Sequence, residues 1–86
     1  MDKKQEIAVF LKKNWLNAGF FEEIKKSITK DLPIGGNGGI RNGMIYIEIS
    51  ELCLEGTADH LGKKLTKDDS HFVMRQVDSF FISLNL

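Results

Sequence analysis

Cys53, Asp59, His60, Asp68, Asp69 and His71 are the side chains whose types suit metal binding or nucleophilic chemistry. Their spacing does not assemble them into a site. Zinc sites are anchored by Cys-x-x-Cys or His-x₃-His pairs, which bring two ligands onto one turn, and neither pair occurs. Cys53 and His60 would lie roughly 10.5 Å apart along a helix at about 1.5 Å per residue, too far to share an ion. Asp68 and Asp69 open a segment with helical character, where carboxylates complement the positive end of the helix. Cys53 stands between Leu52 and Leu54, and apolar surroundings keep a thiol protonated and inert. No serine has the strand-turn-helix elbow of a hydrolase. Glu48, Glu51 and Glu55 are acids without a pattern that pairs them for proton transfer. The expectation is therefore no catalytic residue, no metal, no cofactor and no enzyme.

The stretch Pro33 to Gly43 holds the single proline and five of the eight glycines. Glycines let backbone amides approach a phosphate, and Arg41 could contact an anion there. The specific fingerprints fail, however. No Gly-Lys-Ser/Thr triplet is present, and Gly36-Asn37-Gly38-Gly39-Ile40-Arg41 lacks the last glycine of a dinucleotide loop. The stretch reads first as a connector. Gly36, Asn37 and Arg41 are kept as residues that would touch a partner if the loop touches anything.

Charge argues against nucleic-acid binding without excluding it. The chain has 86 residues, with 12 Lys plus Arg against 12 Asp plus Glu. Nucleic-acid binders concentrate a basic excess on one face, because affinity comes from displacing counterions. Here Lys pairs alternate with acids along the sequence, as on solvated helix faces. Composition of 42% hydrophobic and 28% charged residues describes a globular chain of one domain, residues 1–86. No apolar run reaches the roughly 20 residues of a membrane span. The charged N-terminal residues do not read as a signal peptide, and a lone cysteine fits a reducing, cytoplasmic setting.

The elements that must position these residues read as α+β. A first helix over about Lys3 to Asn17 groups Ile7, Phe10, Leu11 and Trp15 on a stripe, with Gly19 as its left-handed terminator. A second helix runs from about Phe21 to Leu32 and stops at Pro33. Met44 to Ser50 alternates Ile45, Ile47 and Ile49 with Tyr46 and Glu48, the period of a strand. Asn42-Gly43 before it is a hairpin signal, which makes Gly39 to Arg41 the partner strand. A short helix over Ala58–Leu65, capped by Thr57, and a long amphipathic helix from about Asp69 complete the order helix, helix, hairpin, helix, helix. The core expected from this arrangement is Phe10, Trp15, Ile24, Ile28, Ile47, Ile49, Val77 and Phe80.

Apolar residues on faces that ought to be wet are the remaining signal. Val9 and Leu16 fall about 180–200° from Ile7, beside Lys12 and Lys13. Met44 and Tyr46 occupy the outer face of the ribbon, and Phe72 and Ile82 leave the main stripe of the last helix. Several such residues in one small chain build a contact surface. The functional expectation is a small non-enzymatic regulator, adaptor or inhibitor that binds another protein. Its contacts would be Val9, Lys12, Lys13, Leu16, Met44 and Tyr46, and a homodimer would form through the open ribbon edge. The alternative is a helix-turn-helix-like DNA-binding regulator built on Thr57 to Gly62 and the helix that follows. A small enzyme with a pocket at a dimer interface ranks third.

Overall fold

The computed structural model describes residues 2–29 and 38–84, with the side chains of 28–29 and 38–42 outside that description. Every regular element among the described residues is a helix: α1 (Lys3–Asn14), α2 (Ala18–Thr29), α3 (Gly38–Leu61) and α4 (Lys67–Ser83). The fold is therefore all-helical there, and the α+β assignment is corrected.

The hairpin is where the sequence misleads. Alternating isoleucines satisfy a strand, but the same segment also carries a period of four. Ile45, Ile49, Cys53 and Thr57 follow one another at i, i+4 and are all fully buried, while Ile47 is 59% exposed. A strand would put Ile45, Ile47 and Ile49 on one face; a helix turns Ile47 away at about 100° per residue. Burial of the i, i+4 stripe outweighs β propensity, and α3 runs unbroken for 24 residues, about 36 Å. Asn42-Gly43 and the expected partner strand Gly39 to Arg41 thus belong to the first turns of α3. The separate helix expected at Ala58–Leu65 is the last turn of α3 followed by its exit, where Gly62 takes φ 69°. Thr57 caps nothing; it lies in mid-helix.

The first two helices are set by side-chain caps. Asp2 accepts from the Gln5 N–H at 2.8 Å, and Gln5 Oε1 accepts in return from the Asp2 N–H at 3.2 Å, which satisfies two free donors at the start of α1. α1 stops at Trp15 rather than at Gly19, which falls in the first turn of α2. Asn17 makes the corner. Its Nδ2 donates to the Lys12 carbonyl at 2.9 Å while its Oδ1 accepts from the Phe20 N–H at 2.8 Å, so one side chain closes α1 and opens α2. Thr66 caps α4 by accepting from the Asp69 N–H at 3.1 Å.

Contacts between helices fix their directions. Lys3 reaches Asp69 at 2.7 Å, and Lys12 and Leu16 line one depression with Ser79 and Phe80 farther along, so α1 and α4 run parallel. Glu6 and Phe10 of α1 meet His60 of α3, and Trp15 meets Gly56, so these two helices are antiparallel. Tyr46 of α3 touches Asp78 and Phe81 of α4, again antiparallel. The core holds Ile7 and Leu11, then Leu16, Phe21 and Ile24, then Ile45, Ile49 and Cys53, with Val73 and Val77 from α4. Of the residues expected inside, Ile24, Ile49 and Val77 are buried, and Phe10, Trp15 and Phe80 are half-buried against the core. Ile47 is outside, and the Ile28 side chain lies outside the described residues.

Candidate functional site

Parallel α1 and α4 are tied together at their N-terminal ends. The Lys3 ammonium donates to Asp69 at 2.7 Å, Lys4 lies 3.5 Å from Asp68, and Lys4 also stands 5.8 Å over the Phe72 ring. Asp69 is 4% exposed. The hydrogen bond from Lys3 holds its carboxyl below the usual value, against the opposing effect of burial, and Asp69 in turn holds Lys3 above its own.

Towards their C-terminal ends the two helices part over a depression of about 360 Å³. Ala8, Val9 and Lys12 of α1, with Leu16 just beyond it, form one wall. Gln76, Ser79 and Phe80 of α4 form the other. The short side chains of Ala8 and Ser79 leave the seam unfilled at a place where longer ones would interdigitate. The wall from Ala8 to Leu16 covers about two helical turns.

Three of the residues read from the sequence as partner contacts, Val9, Lys12 and Leu16, are brought together here. Val9 is 55% exposed, whereas Ile7 and Leu11 on the same helix are fully buried. Leu16 is only 8% exposed. It follows the end of α1 at Asn14, so the register that predicts an exposed Leu16 no longer applies, and it turns inward at the corner. Lys13, next to Lys12 in α1, is exposed. Met44 and Tyr46 are elsewhere, on α3. Met44 is 42% exposed; Tyr46 donates its hydroxyl to Asp78 at 2.5 Å and packs its ring on Phe81 with centroids 5.2 Å apart. Gly36 and Asn37 lie outside the described residues, as does the side chain of Arg41, whose backbone is helical in α3. Gln76 and Ser79 are not among the contacts expected from the sequence, and Phe80 is expected there in the core. The available signal was the pair of small residues, Ala8 and Ser79, at positions flanking apolar stripes on two helices.

Reactive chemistry finds little support in this geometry. Among the described residues Lys12 is the only ionisable side chain lining the depression, so no acid and base of theirs face each other across it. Among the described residues no three His, Cys, Asp or Glu side chains converge to hold a metal ion. Cys53 is fully enclosed, and burial pushes its thiol up to about 12. His60 stacks on Phe10 with centroids 4.3 Å apart and lies 3.2 Å from Glu6, an arrangement that joins α1 to α3. The helix suggested as a DNA reading head, α4, opens with Asp68 and Asp69, and acids at a groove-entering end repel phosphates. No helix among the described residues is long and apolar enough to cross a membrane.

Comparison with protein families, with curated proteins and with solved structures finds no match to the chain.

Proposed function

We propose that this chain is a non-enzymatic protein-interaction module, a small regulator, adaptor or inhibitor that holds another polypeptide in the α1/α4 groove. The observation that carries the reading is the groove itself, an apolar depression with Val9 half in solvent at its edge and, among the described residues, a single cation, Lys12, lining it. Apolar contact area with a sparse polar rim is the composition of a docking surface. A cytoplasmic setting belongs to the same reading, resting on the solitary, enclosed Cys53.

The test replaces Val9 with a photo-cross-linking amino acid, and in a second protein Lys64, which is exposed on the α3–α4 link. Irradiation in cells should yield a polypeptide adduct from position 9, identified by mass spectrometry, that position 64 does not yield. Adducts that are equal at both positions, or absent at position 9, overturn the proposal.

A further inference from the structure

We infer that the occupant of the α1/α4 groove is the exposed face of α3 from a second copy of this chain. The inference rests on the groove being a docking surface and names what docks there.

The groove specifies its occupant chemically. It is two helical turns long and largely apolar, with Lys12 in its wall and Lys13 next to it in sequence, and among the described residues no acid lines it. A matching segment is helical, presents apolar side chains at i, i+3 spacing, and flanks them with carboxylates. The outward stripe of α3 has this pattern. Met44 and Ile47 are 42% and 59% exposed, and Glu48 and Glu51 are exposed beside them. From Met44 to Asp59 the sequence contains no Lys or Arg. Among the described residues neither Glu48 nor Glu51 forms an ion pair, and neither does Lys12 or Lys13.

The two surfaces cannot meet within one molecule. Ile45, Ile49 and Cys53 turn the opposite side of α3 into the core that α1 and α4 share, so the stripe carrying Ile47 faces away from the α1/α4 seam. Only another copy can bring Glu48 and Glu51 to Lys12 and Lys13, with Ile47 seated between Val9 and Phe80. A formal net charge of zero leaves the copies without net repulsion. The surfaces differ, so the contact is heterologous, and mass grows with concentration until a ring closes.

Charge reversal on each side tests this with the full chain in sedimentation equilibrium. The native protein should exceed its 9.7 kDa monomer mass increasingly as concentration rises. Lys12→Glu with Lys13→Glu, and separately Glu48→Lys with Glu51→Lys, should each raise the dissociation constant at least about tenfold. An equimolar mixture of the two variants should regain association. Ile47→Gln leaves every charge and every helix end untouched and should also weaken association, which covers the case where a reversed variant fails to fold. A native protein that stays monomeric, or association that survives these changes, overturns the inference. The cross-linker at position 9 separates the two readings. An adduct containing α3 supports self-docking. An adduct with a foreign polypeptide alone overturns self-docking and leaves the groove reading intact, and no adduct overturns both.

Discussion

The indole of Trp15 lies against α3 at Gly56, so close that a methyl group there would overlap its Cη2 and Cζ3 atoms. Trp15 is the residue on which α1 ends, its N–H bonded to the Leu11 carbonyl at 2.8 Å. Its ring also meets Phe10 edge-on, with centroids 5.4 Å apart. The α1–α2 corner is thereby fixed to the C-terminal part of α3, and glycine is required there by the approach of a ring, since Gly56 lies within the helix. Gly56→Ala improves helix propensity by about 1 kcal/mol but forces the indole out. Overpacking of this kind costs about 1–3 kcal/mol, so chemical denaturation should show a net loss of stability. The double variant Gly56→Ala with Trp15→Leu should recover part of it.

Thr57, the next residue, is fully buried with no hydrogen-bond partner for its hydroxyl among the described residues. An unsatisfied buried hydroxyl costs about 1–3 kcal/mol. Thr57→Val keeps the shape and the β-branch while removing the polar atom. Urea unfolding should place the variant about 1 kcal/mol above the native protein, with an unchanged m-value.

Stability should also respond to pH through the pair Lys3–Asp69. The folded carboxyl of Asp69 lies below its ordinary 3.8, so its contribution is complete above that value and is lost as pH falls through the lower folded one. Lys3 lies above its ordinary 10.5, so its contribution is complete below that value and disappears as pH rises beyond it. The difference in unfolding free energy between the native protein and Asp69→Asn should stay flat from about pH 5 to about pH 9 and shrink in acid below about pH 4. A difference that grows on acidification would contradict the assigned direction.

Cys53 offers a probe of opening. Enclosed and held protonated up to about 12, its thiol has neither the access nor the charge to attack a reagent. Ellman's reagent at pH 8 should label the native protein only at the rate at which α3 is uncovered. The rate should rise in Gly56→Ala, which loosens the corner nearby, and fall in Thr57→Val.

Helices α1 and α4 are readable because a helical period runs through most of their apolar residues and, for α4, because Asp68 and Asp69 mark its first turn; the caps Asp2 and Thr66 are not part of that reading. α3 is not, because two periods coexist in it. Ile45, Ile47 and Ile49 alternate in sequence, and the choice between strand and helix depends on continuing the four-residue period through Cys53 to Thr57, a polar residue that composition does not mark as interior. Asn42-Gly43 favours the strand reading as a hairpin signal, whereas the helix that in fact contains Gly43 is locally costly and is held by the buried stripe that follows. Half of the candidate contact surface was legible for a related reason. Val9 and Lys12 follow from the register of α1 alone, whereas Gln76 and Ser79 become a wall only when α4 lies parallel to α1, a relationship set by Lys3–Asp69 across the length of the chain.

The groove exists because Ala8 and Ser79 are short, and that makes its role separable from folding. Ala8→Leu places a larger side chain in the depression, where it can pack on Val9 and Phe80. Filling a cavity adds about 0.5–2 kcal/mol, so thermal unfolding should shift upward. A helix-sized occupant would then find the space taken, and self-association in sedimentation equilibrium should weaken in the same variant. A core defect would lower both quantities together, and a groove kept open for a partner moves them in opposite directions. Ala8→Leu raising both the melting temperature and the association would mean that the second copy docks elsewhere.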